Sequence, residues 1–123
     1  MEIDHTLRVY SGRCHCGAVR FTARTDLTGM MDCNCTHCRR RGSVLQPLAA
    51  ADFELLAGAD DLKSYRFNTE KIEHLFCRHC GIESFARGRD GKGNEMVMLN
   101  VNCLDDLPVI DRSTIGHWDG LGA

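Results

Sequence analysis

Eight cysteines carry the chemistry of this sequence: Cys14 and Cys16, then Cys33, Cys35 and Cys38, then Cys77 and Cys80, with Cys103 standing apart. Seven of the eight fall in three tight groups, which is how metal ligands are spaced and not how scattered residues fall. The opening Met1-Glu2-Ile3-Asp4-His5 lacks the basic then apolar pattern of a secretory leader. The expected compartment is therefore the cytoplasm, where clustered thiols bind metal more often than they pair as disulfides.

The first and last groups read as one site. Cys14-His15-Cys16-Gly17 and Cys77-Arg78-His79-Cys80-Gly81 are each two thiols followed at once by glycine. In a zinc knuckle the backbone folds over the ion so that amides face the sulfurs, and glycine, lacking Cβ, takes the tight conformation that ends the turn. Cys14, Cys16, Cys77 and Cys80 together make the closed tetrahedral set of a structural zinc. The spacing of Cys77 and Cys80 is also that of a redox dithiol, but no helical pattern follows Cys80 and a second pair of like form is present.

Cys33-Asn34-Cys35-Thr36-His37-Cys38 places three thiols within six residues, with no partner cysteine nearby. Three protein ligands and a fourth position open to water or substrate is the arrangement of a catalytic zinc. His37 or Cys103 could instead close the coordination and make this ion structural too; Cys103 otherwise reads as a small buried hydrophobe at a strand end. A soft thiolate shell selects a soft fourth ligand, and bound Zn2+ holds a thiol as thiolate at neutral pH, so a small-molecule thiol is the expected visitor. Arg39, Arg40 and Arg41 follow directly, where an anionic ligand would project, and arginine pairs bidentately with carboxylates. A charge run is also how a solvated face looks. Seven thiolates outweigh two dications, so some of the three arginines would serve as counter-charge.

The elements that must hold these groups are short strands. Ala18, Arg20 and Thr22 alternate with Val19, Phe21 and Ala23, the period of a half-buried strand leaving the first cysteine pair. Further strands are expected around 30–33, over 44–48 up to Pro47, and over 52–56, 62–67, 71–76 and 82–86. Met96 to Val101 is the most apolar strand. The polar, glycine-rich 87–94 stretch before it reads as a hairpin loop. Pro47 argues for an edge or a strand end. Thr36 to Gly42 reads as a compact turn or one helical turn ending in glycine, 103–108 as a helical turn or loop, and 1–12 as a loose lead or edge segment. The 123 residues make one domain of mainly β class. Aromatics are only 7%, a thin supply of large core side chains that metal would supplement. The net charge of −2 speaks against nucleic acid, and no apolar run reaches a membrane span.

Three stretches, Gly12 to Phe21, Cys33 to Gly42 and Phe76 to Gly81, together with Asn100 to Leu104 and His117-Trp118-Asp119-Gly120, resemble the glutathione-dependent formaldehyde-activating enzymes, the CENP-V/GFA family. The resemblance runs from about Ser11 to Gly120 and implies the Mss4-like fold, several coiled antiparallel β-sheets stabilised by zinc. It also implies Cys14, Cys16, Cys77 and Cys80 on the structural ion and Cys33, Cys35 and Cys38 on the functional one. The implied activity is that of a carbon-sulfur lyase joining glutathione to formaldehyde, a small thiol to an aldehyde. A proton must then reach the new hydroxyl; His37 inside the triad is the better placed donor, ahead of His79 in the structural knuckle. Against the enzyme stand three readings: a zinc-stabilised binding module for a thiol adduct or a protein partner, a nucleic-acid-binding ribbon, and a redox dithiol protein.

Overall fold

A computed structural model describes residues 5–67, 71–107, 113 and 115–118. Pro108, Asp119 and Gly120 of the sequence motifs lie outside the described residues. Among those described, ten strands and one short helix alternate with turns: β1 (Arg8–Arg13), β2 (Arg20–Thr25), β3 (Met31–Cys33), α1 (Thr36–Arg41), β4 (Leu45–Ala49), β5 (Phe53–Ala57), β6 (Leu62–Tyr65), β7 (Glu73–Cys77), β8 (Phe85–Arg89), β9 (Glu95–Asn100) and β10 (Gly116–Trp118). The mainly β class expected from the strand pattern is what the chain adopts. No helix among the described residues is long and apolar enough to cross a membrane.

The strands form two sheets. One is antiparallel with order β1-β2-β5; the other has seven strands in the order β10-β3-β4-β9-β8-β7-β6, antiparallel throughout except where β10 lies parallel to β3. Both contribute to one apolar core. Phe21 of β2 stacks on Phe53 of β5 at 5.3 Å, and Phe53 meets Phe85 of β8 at 4.6 Å. Val97 and Leu99 of β9 and Val19, Leu27, Val44 and Val101 are fully buried beside them. The alternation read from Val19, Phe21 and Ala23 is realised, all three being buried. Gly12 is required where β1 crosses Phe21, since a Cβ there would stand 2.4 Å from the ring.

The edge segment, one of the two expectations before residue 13, is a regular edge strand, β1, whose alternation is blurred because Val9 points outward, 64% exposed. Three expectations need correction. The strand expected at 82–86 runs instead over 85–89, because 78–84 is spent on the second cysteine turn and on burying Glu83 and Ser84. The hairpin loop shortens accordingly to 90–94. Pro47 lies inside the large sheet, but β3 pairs with β4 only at Met31 and Leu45, so the proline faces a neighbour on the β9 side alone.

Candidate metal centres and the clefts beside them

The two cysteine pairs converge as matched turns. After β1, the Cys14 amide donates to Val19 O at 3.0 Å and Gly17, at φ +82°, closes the turn onto Cys14 O. After β7, the Cys77 amide donates to Ile82 O at 3.0 Å and Gly81, at φ +81°, closes onto Cys77 O. In each turn an amide faces a sulfur: Val19 N to Cys14 Sγ at 3.3 Å and His79 N to Cys77 Sγ at 3.4 Å. The four sulfurs of Cys14, Cys16, Cys77 and Cys80 all lie within 4.8 Å of one another. Thiolates about 2.3 Å from a tetrahedral zinc stand about 3.8 Å apart. The measured Cys14–Cys16 and Cys16–Cys77 separations are both 3.7 Å, so the set fits the ion. As bare thiols the four cannot share charge evenly. Burial would raise Cys80, but amides of residues 16 and 82 and the Cys77 and Cys14 thiols bring it down to about 6. The Ala18 amide pulls Cys16 down, yet desolvation and its thiol neighbours carry it up to about 11.

Cys33 ends β3, Cys35 caps α1 by accepting from Cys38 N at 3.3 Å, and Cys38 lies buried on the helix. Gly42 ends that helix in the left-handed conformation, its amide on Cys38 O at 2.9 Å. The three sulfurs lie within 4.8 Å of one another, and the Cys35 amide faces Cys33 Sγ at 3.5 Å. The donor set is again all sulfur with amides turned toward it, which suits zinc. Neither residue named as a closing ligand joins this set. His37 clusters with His74 and Glu83, and Cys103 sits in a turn beside Ser84 on the side of Cys14 and Cys80. Burial raises Cys33 and Cys38, whereas in Cys35 it is outweighed by the Cys38 and His37 amides and the neighbouring thiols, and that thiol is lowered.

Behind the triad stands a buried polar group that the sequence did not single out. Glu83, 6% exposed, accepts from Arg41 Nη1 and meets His74 Nδ1 at 3.0 Å. Arg41 also donates to Ser43 Oγ at 2.6 Å and to Cys38 Sγ at 3.6 Å. His37 lies 4.2 Å from the His74 ring, stacks on Tyr65 and meets Phe67 at a tilt. Its Nε2 is 3.9 Å from Glu83 Oε1. Burial, then the His74 and Arg41 charges, hold the His37 imidazole below its usual value. His37, His74 and Glu83 have the composition of a third metal site, but the Arg41 guanidinium already brings a cation to the same carboxylate oxygen. The arginine run thus divides. Arg41 turns inward, Arg40 donates back to Thr36 O, and Arg39 lines a groove. His79 pairs with Asp61 at 2.8 Å on the exposed side of the knuckle.

Two clefts meet at the triad. One, of about 430 Å³, has a mixed lining that carries the polar and charged side chains of Asp32, Asn34, Arg39, Ser43 and His117. The other, of about 530 Å³, is mostly apolar and includes Leu45, Phe67, Met96 and Met98, with Arg41 and His74 in its wall. Cys33, Cys38 and Trp118 line both. Trp118 forms the ridge between them, held because β10 pairs with β3 at Trp118 and Cys33 and accepts the Asn34 amide at 3.1 Å. Phe67 and Trp118 therefore belong to the site, while Phe53 and Phe85 belong to the core.

Residues 9–117 match the family described as glutathione-dependent formaldehyde-activating enzyme. The chain belongs to that family. A crystal structure of a Rhodobacter sphaeroides protein is similar, with a TM-score of 0.73 and 32% identity over 88% of this chain and 98% of that one. The match to the formaldehyde-activating family spans both cysteine pairs and the triad and ends at His117 in β10, one residue before Trp118.

Proposed function

We propose that the protein is a zinc-dependent enzyme of the carbon-sulfur lyase type that joins a small thiol such as glutathione to an aldehyde such as formaldehyde. The observation that carries this reading is the triad: three convergent sulfurs, no fourth protein ligand among the described residues, and two clefts that meet there. Cys14, Cys16, Cys77 and Cys80 hold the structural ion, and Cys33, Cys35 and Cys38 hold the functional one. Zinc bound by the triad supplies Lewis acidity, which favours the thiolate of an incoming thiol.

The chain's own residues do the rest. Arg39 receives a carboxylate of the thiol in the smaller cleft, Arg40 adds positive potential from the exposed helix face, and Arg41, fixed by Glu83, sets Cys38 in place. The sulfur adds to the carbonyl carbon, the C=O π bond opens onto oxygen, and the thiol's proton ends on that oxygen as the new hydroxyl. His74 in the cleft wall passes that proton, with Glu83 orienting its ring and His37 packed behind. Trp118 and Phe67 keep water from the reacting atoms. The partners are small molecules in a cytoplasmic setting, with no role for nucleic acid or membrane.

The test uses protein loaded with cobalt in place of zinc. Adding glutathione should change the visible cobalt spectrum at one of two bound equivalents, and Cys35→Ser, which keeps the fold, should lose that equivalent and the change. Exchange NMR should show adduct formation from formaldehyde and glutathione faster with protein than without. A spectrum indifferent to glutathione refutes the open site; a responsive spectrum without acceleration leaves a carrier of the thiol adduct instead of an enzyme.

A further inference from the structure

We infer that this site takes, beyond formaldehyde, carbonyl compounds that carry a large apolar group, a chain of several carbons or an aryl ring. The inference rests on the thiol-plus-aldehyde reading above and names the substrate class of that site.

The argument begins with the two faces of β9. Val97 and Leu99 point into the core, so a sheet with one face on the core and one on water would place polar residues at 96 and 98. Both are methionine. Across the register, Met98 faces Pro47 on β4 and Ala86 on β8, and Met96 faces Gly88. Small residues on β8 thus open space beside long, flexible ones on β9. Leu45, Phe67 and Trp118 continue the apolar wall, and three of the chain's five methionines, Met31, Met96 and Met98, line it. Core packing explains none of this second apolar face.

The space is far too large for formaldehyde. A water-sized molecule fills about 30 Å³, and the cleft offers about 530 Å³. Pockets of this size with mainly apolar walls bury drug-sized apolar groups. Methionine walls adapt to varied shapes, which suits a class of chains or rings better than one rigid molecule. The cation nearest the triad in this cleft, Arg41, is paired with Glu83 and offers little to an anion. The anionic end of the thiol belongs in the other cleft, with Arg39. A sulfur at the triad then has its charged half on one side of Trp118 and the aldehyde's carbons on the other.

Zinc-loaded protein titrated by calorimetry with glutathione, S-methylglutathione and S-hexylglutathione tests this without relying on turnover. Each buried methylene strengthens binding about fourfold. With the added chain half covered in an open cleft, S-hexylglutathione should bind about 30-fold tighter than S-methylglutathione. Gly88→Val, where a Cβ meets nothing closer than 3.6 Å, fills the cleft without disturbing the backbone and should cut that ratio; Met98→Gln should do so as well. Equal affinity for the two thioethers, or a ratio unmoved by both variants, overturns the inference while glutathione binding leaves the thiol reading standing. Failure of glutathione itself to bind overturns both.

Discussion

Replacing Glu83 by glutamine removes one charge from a nearly dry site while keeping its shape. The carboxylate is 6% exposed and serves Arg41 and His74 together, and Arg41 is itself only 16% exposed. Deleting one partner of a buried pair costs about 3–5 kcal/mol because the other charge is left unmatched. Here the loss is smaller, since Arg41 keeps Ser43 Oγ and Cys38 Sγ and the glutamine carbonyl still accepts, so about 2–4 kcal/mol is expected. For a chain of this length that lowers Tm by roughly 6–15 °C. The assay is thermal unfolding of zinc-loaded protein at fixed free zinc, with wild type, Glu83→Gln, Arg41→Met and the double variant in one cycle. Each single change should destabilise, and the double variant should lose clearly less than the sum, because it leaves no orphaned charge. A Tm within 2 °C of wild type for Glu83→Gln, or strict additivity, would refute the reasoning.

Cys14→Ser should abolish cooperative melting by circular dichroism, because a structural zinc contributes about 10–16 kcal/mol in small domains, as much as a whole fold retains; a soluble, cooperatively melting variant speaks against the four-sulfur site. Gly58→Ala should cost about 3 kcal/mol in denaturant unfolding, since residue 58 sits at φ +93° and its Cβ would lie 2.4 Å from Ala18 O beside the first knuckle; a loss below about 1 kcal/mol contradicts it. Protons compete with zinc for the four thiolates of Cys14, Cys16, Cys77 and Cys80, so metal release to a chromophoric chelator should rise as pH falls; release that grows with rising pH would exclude this role.

Much of the site was legible because its cysteines come in local groups. The knuckle glycines and the six-residue triad carry their geometry in the residue order, and the structure brings the sulfurs together where spacing implied. What escaped reading depends on distant segments. His74 comes from β7 and Glu83 from an irregular stretch after the second knuckle, and no periodicity marks either; a histidine inside the strand expected over 71–76 was the only available hint. The division among the arginines was readable in principle, because Cys38 and Arg41 are three apart and share a helix face. The apolar run at 96–101 announced a strand, but that one of its faces lines a cleft instead of the core follows only from the sheet order. Pro47 was read as an edge or a strand end, and its place in the middle of a strand inside the sheet, with no ladder partner on the β3 side, follows only from the sheet order.

The two cysteine sites differ in how much chain must be in place before they exist. Three sulfurs separated by a few residues can gather while the rest of the polypeptide is still unformed, whereas Cys16 and Cys77 meet across 61 positions and must wait for the ends of that span to find each other. With zinc at both sites as proposed, loading would be ordered in time: the ion at the triad would arrive on a nascent segment, and the one at the paired knuckles last. A cell short of zinc would accumulate chains that hold metal yet have no finished fold.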